Sequence, residues 1–163
     1  MPSEGPTHTT PTARTWVLRS DEDVYEQRVE YAPASPFPPL HFHPAQDELF
    51  EIEKGAVVFV VDGAERTVAA GGLIEIAAGT PHKARNASTD EPAVVRWVTT
   101  PALRSADFFA LAAKLGDDAG LFERALFAHE YRDVFRASGM LGRLIPMVAA
   151  IARLLGRRPP HLD

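Results

Sequence analysis

At 163 residues the chain suits one domain with an appendage, and a domain of that size buries enough surface to stand without staples. It has no cysteine, which excludes a disulfide framework and any thiolate metal site, and its formal net charge of −5 counts against a nucleic-acid partner. The first fifteen residues are polar and lack the apolar stretch of a signal peptide, and no run approaches the ~20 apolar residues of a membrane span. The expectation is a cytoplasmic protein with neither membrane nor nucleic acid as partner.

Residues 1–13, rich in Thr, Pro, Ser and Gly, read as a disordered tail. Residues 14–19 read as a first strand. Residues 24–31 alternate, and Tyr25, Gln27, Val29 and Tyr31 form the more apolar, inward face. Pro33, Pro36, Pro38 and Pro39 then forbid a central strand, so residues 32–39 read as a stiff loop, with Phe37 placed to line the mouth of a site.

The stretch 40–55 follows. His41 and His43 are two apart, so on a strand both imidazoles share a face. Glu48, Phe50 and Ile52 share a parity, leaving Glu51 and Glu53 to water. Residues 57–61 are a near-continuous apolar strand, Asp62-Gly63 signals a hairpin, and residues 65–69 return. After Gly71-Gly72, residues 73–76 form a short strand, and Gly79-Thr80-Pro81 turns the chain towards His82, which shares a parity with Ala84 and Asn86. Residues 93–99 close the set, with Trp97 able to plug or line it. Strands this short and this regularly punctuated suit a closed all-β barrel. Three imidazoles and a carboxylate are a common metal-ligand set, and an unpaired buried carboxylate would otherwise cost several kcal/mol.

At these positions the sequence resembles the cupin superfamily. The first motif of that family is met by His41, His43, Glu48 and Gly55 at the required spacings, and the second by Gly71, Gly79, His82 and Asn86. Ser35 stands where the leading glycine is expected and Ala77 where a proline is expected. Neither position supplies a ligand. The resemblance implies a mainly β fold: a double-stranded β-helix (jelly-roll) barrel over residues 14–103, with one divalent metal ion per chain held by His41, His43, Glu48 and His82. Iron(II) is favoured, with zinc, manganese or nickel as alternatives. Cupins commonly dimerise, so a homodimer is expected.

Residues 104–163 form a helical extension that the metal motifs do not require. Ser105 opens a helix with Phe108, Leu111, Ala112 and Leu115 at helical spacing, and Gly116 stops it. Residues 121–135 read as a second helix carrying His129, an ordinary surface residue, and Gly139 ends that region. Residues 144–155 read as a third helix with Pro146 near its start. Charge changes along the chain: residues 1–103 hold 8 basic and 15 acidic side chains, while Arg136, Arg143, Arg153, Arg157 and Arg158 meet only Asp163. A solvated basic helix face is the plain reading, and contact with the acidic barrel of a second subunit the sharper one. Simple packing as a core extension is expected of these helices, a lid over the site being the functional variant.

Three His and one Glu leave about two open positions on an octahedral metal. The primary expectation is therefore a metal-dependent oxidoreductase of the dioxygenase kind. Its substrate would be a small, largely apolar organic molecule held among Phe37, Phe50, Phe59, Asn86 and Trp97. The alternatives are a lyase, isomerase or cyclase using the metal as a Lewis acid, and a non-catalytic small-molecule-binding barrel.

Overall fold

The computed structural model describes residues 5–116 and 118–162. Eleven strands come in chain order: β1 His8–Thr9, β2 Ala13–Ser20, β3 Tyr25–Tyr31, β4 His41–Phe42, β5 Asp47–Lys54, β6 Ala56–Val61, β7 Ala64–Ala69, β8 Leu73–Ile76, β9 His82–Asn86, β10 Ala93–Thr100 and β11 Arg136–Ala137. The helices are α1 Ser105–Leu115, α2 Leu121–Glu130 and α3 Gly139–Leu154. Two antiparallel sheets face each other, one ordered β1-β2-β3-β10-β5-β8 and the other β11-β4-β9-β6-β7. The mainly β jelly-roll barrel expected from the sequence is present, with the helices following it.

Parity decides what fills the barrel. On β5, Glu48, Phe50 and Ile52 are buried while Glu51 and Glu53 are exposed, and on β3 the buried residues are Tyr25, Gln27 and Val29. Phe50, Ile52, Val57, Phe59, Ile74, Ile76, Ala93 and Val95 make one continuous core. Phe59 is fully buried inside that core, against Phe50, at a ring separation of 5.3 Å. It supports the pocket wall from behind and is not itself part of the wall. Asp62 and Gly63 take φ of 49° and 80°, the left-handed pair that a tight hairpin between twisted strands requires. Gly55 has φ of 74°, and a Cβ there would lie 3.1 Å from the Pro92 carbonyl oxygen, so the position rejects a side chain twice over.

Three expectations are corrected. His8 and Thr9 pair with Thr15 and Arg14 on β2, so strand pairing reaches into the expected tail. Weak local propensity is overridden there by an edge strand to pair with; residues 1–4 lie outside the described residues. The helix expected over 121–135 stops at Glu130, because Arg136–Ala137 pairs with His41–Phe42 and Ser138 N donates to Leu40 O at 2.8 Å. Gly139, read as a stop, opens α3, which runs through Pro146. Among the described residues, no helix is long and apolar enough to cross a membrane.

Asn86 is also re-assigned. Its side chain is fully buried, and its Nδ2 faces the carbonyl oxygens of Tyr31, Ala32 and Glu91 at 3.3, 3.2 and 2.8 Å. Its Oδ1 accepts from Ser88 N at 2.9 Å. Ser35, standing in the place of a motif glycine, is buried, and its Oγ accepts from Asn86 N at 3.2 Å. Asn86 therefore ties two loops together instead of facing a substrate. We expect Asn86→Ala to destabilise the fold by about 2–4 kcal/mol, because it strands buried carbonyls. Urea denaturation with metal analysis of the folded fraction checks this: lost metal with unchanged stability would return Asn86 to the site.

Candidate metal centre

Two distant motifs meet through strand register. His41 on β4 lies directly opposite His82 on β9, and His43 follows two residues along the same run. The turn before β9 is tied to the same place, because Gly79, at φ of 79°, donates its N–H to the His43 carbonyl at 2.8 Å. Ala77, where the motif has proline, leaves that turn closed by Thr80 N to Ala77 O at 3.1 Å and by Ala78 N to Asp47 Oδ1 at 2.8 Å. Ring nitrogens of His41, His43 and His82 all lie within 4.8 Å of one another. Glu48 reaches them from β5 in the opposite sheet, with Oε1 3.2 Å from His43 Nε2 and Oε2 2.9 Å from His82 Nε2. The four predicted ligands come together.

The state of each imidazole follows from its other nitrogen. Nδ1 lies 2.9 Å from Pro39 O in His41, 2.6 Å from Val134 O in His43 and 2.9 Å from Thr80 O in His82. A carbonyl only accepts, so Nδ1 carries a proton in all three rings, and Nε2 is the lone-pair nitrogen wherever the ring is neutral. Burial lowers His41 to about 4, helped by the neighbouring His82, and lowers His43 as well. In His82, burial also pulls downward, but the hydrogen bond and charge of Glu48 overcome it and the net direction is up. Glu48, 2 % exposed, would be raised by burial, yet the three imidazoles hold it below the ordinary carboxylate range.

These groups fit a divalent cation. The Nε2 of His43 is buried without a hydrogen-bond partner among the described residues, and the Oε2 of Glu48 is met there by His82 Nε2, which has no proton to give when the ring is neutral; both belong to the converging set. Orphaned buried polar atoms are rare because each costs about 1–3 kcal/mol. Carbonyls fixing the outer nitrogens of metal-binding imidazoles are the usual orienting device. Trp97 adds to it, donating from Nε1 to Glu48 Oε1 at 3.0 Å.

A cavity of about 400 Å³ opens on the three histidines. Phe37, Phe50 and Trp97 line it as expected, whereas Phe59 and Asn86 do not. Sequence reasoning missed Phe108, Phe109 and Phe135, which close it from the helical extension, and the wall residue Tyr31, whose inward parity was legible. Phe135 stacks on His41 at 4.7 Å and 26°, Phe108 stacks on Phe135 at 5.6 Å, and Phe109 meets Trp97 edge-on at 5.1 Å. Phe109 is an apolar side chain off the helix's apolar stripe, the one signal available for it. Phe135 had none, because its position depends on β11 leaving α2. The extension thus caps the site and supplies the Val134 carbonyl to His43.

The barrel portion, residues 27–99, matches the family described as the cupin domain. Among solved structures, KdgF from Halomonas sp. superposes with a TM-score of 0.56 at 16% identity, over 63% of this chain and 93% of that one. An RmlC-like cupin from Shewanella frigidimarina gives 0.58 at 12% identity, over 65% and 92%. TT1209 from Thermus thermophilus gives 0.52 at 26% identity, over 58% and 88%. No curated protein matches the sequence. Fold, strand register and the three converging histidines agree, and residues 27–99 are a cupin domain.

Proposed function

We propose that the chain is a metal-dependent oxidoreductase of the dioxygenase kind, acting on a small, largely apolar organic molecule. The observation that carries the reading is the wall of the cavity above the histidines. Six of its side chains are aromatic rings of Phe or Trp, and none is Asp, Glu, Lys or Arg. A phosphate or sugar acid would find no Lys or Arg in that wall, while a flat apolar molecule would find stacking surfaces worth about 0.5–1.5 kcal/mol per ring pair. The volume suits a ligand of modest size.

His41, His43, Glu48 and His82 would hold the metal, with iron(II) favoured over zinc, manganese or nickel. When bound, iron supplies one-electron chemistry with dioxygen beside the substrate. The chain's own residues do the rest. Burial keeps His41 and His43 neutral, so their Nε2 atoms are free to bind, and Glu48 stays ionised. The rings of Phe108, Phe109 and Phe135 exclude water from the mouth. Tyr31 lines the same cavity, and burial and the nearby Glu48 charge hold its phenol protonated. It is the natural hydrogen-bond donor to an oxygen on the substrate. Among the described residues, no further carboxylate or amine lines the cavity to act as a base, which weighs against proton-shuttling isomerisation.

Purified without a metal-binding tag, the wild type should carry about one iron per chain, and His41→Ala should weaken metal affinity by at least about 100-fold. Chelation should lower the Tm of the wild type and leave the variant unmoved. Metal-free protein that stays empty on reconstitution would remove the site. Iron-loaded protein mixed anaerobically with diketones, thiols or catechols should consume oxygen on exposure to air. Tyr31→Phe should then lower kcat/KM about tenfold, the loss of one hydrogen bond to substrate. Turnover with zinc or manganese and without oxygen would instead favour Lewis-acid chemistry.

A further inference from the structure

A second cavity, about 550 Å³, lies beyond Phe135, between the end of α2, β11, the start of α3 and the reverse side of the metal strands at Phe42 and Pro81. Its polar lining is His129, Arg132, Arg136, Ser138 and Arg143, and among the described residues no carboxylate lines it. Arg132 Nη1 donates to His129 O at 2.8 Å and Arg136 Nε to Arg132 O at 2.9 Å, which anchors two guanidiniums on backbone carbonyls. The carboxylates closest in sequence, Glu130 and Asp133, are both taken by Arg104 on the far side, at 3.6 and 2.5 Å. Arg132, Arg136 and Arg143 have no carboxylate partner among the described residues.

The start of α3 adds donors to the same cleft. Ser138 occupies the N-cap with extended backbone, φ −90° and ψ 163°, but its side chain makes no capping bond. Among the described residues, its Oγ is buried without a hydrogen-bond partner. No acidic residue sits in the first turn of this sixteen-residue helix, so its positive end is uncompensated. A solvated basic helix face would scatter its charges outward. Here three arginines and a bare helix start line one concavity, where like charges repel unless an anion joins them.

We propose that this cleft binds the oxyanion group of a small molecule, a phosphate in preference to a carboxylate. The tetrahedral anion offers enough acceptor oxygens for several guanidinium and backbone donors at once. The site is separate from the metal centre and stands or falls independently of the reaction proposed for it. Among the described residues, only Phe135 is common to the two cavities.

Calorimetric titration of the metal-loaded full chain with inorganic phosphate at low salt tests this, with acetate in parallel to separate phosphate from carboxylate recognition. We expect saturable one-site binding, weakened at least about tenfold by Arg132→Gln with Arg143→Gln, the loss of charge-assisted bonds. Arg158→Gln, outside the cleft, should leave it unchanged. Both cleft arginines are exposed, so Tm should hold in the double variant, and Arg143→Gln alone should give an intermediate loss. Absence of saturable binding would overturn the proposal, as would equal weakening by Arg158→Gln, or tighter binding of acetate than of phosphate. Binding that survives the double substitution but disappears in His41→Ala would place the anion on the metal and overturn it too.

Discussion

The structure turns on keeping Glu48 ionised at 2 % exposure beside a barrel core of Phe, Ile, Val and Ala. An isolated carboxylate in such a place costs several kcal/mol, and the groups within reach answer that cost. His43 and His82 stand at 3.2 and 2.9 Å from its oxygens, and Trp97 donates to it at 3.0 Å. Each imidazole is in turn oriented by a carbonyl from a turn or from the extension. The strands, turns and cap can thus be understood as a scaffold for one buried charge.

That constraint explains the role of the C-terminal segment. Val134 lends its carbonyl to His43, and Phe135 lies over His41, so the segment is part of the site as well as its roof. β11 is only two residues long, yet it pairs with β4, which carries His41, and thereby fixes Phe135. The same departure from α2 creates the cleft on the other side of Phe135, where the basic residues of the extension collect. One short strand therefore shapes an aromatic cavity on one side and a cationic one on the other. α3 packs on α2 through Ala125, Leu126, Ala149 and Ala152, while Met140, Leu144, Met147 and Ile151 remain exposed on its opposite side.

Most of the barrel was legible because its signals are local. Strand parity places His41 with His43, and Glu48 with Phe50 and Ile52; the glycine turns and the Asp62-Gly63 hairpin require particular φ values that few residues adopt. His41, His43, Glu48 and His82 were singled out by the resemblance of two motifs to those of a known family, each a strand-and-turn unit. The loop residue Phe37 and the strand residues Phe50 and Trp97 were found from local signals.

What the sequence left open depended on contacts between distant segments. Asn86 and Phe59 have the right parity to face a pocket, but whether a side chain meets a cavity, a loop carbonyl or the core is decided by what packs against it. The pairing of His8–Thr9 with β2 and of Arg136–Ala137 with β4 has no periodicity to announce it, since two residues show no pattern. The aromatic roof required α1 and β11 to converge on the mouth, a long-range event that helical spacing cannot encode. Local chemistry in the sequence determined the fold and which side chains meet inside the barrel; the tertiary structure alone decided what closes over them, because closure depends on which distant surfaces are buried together.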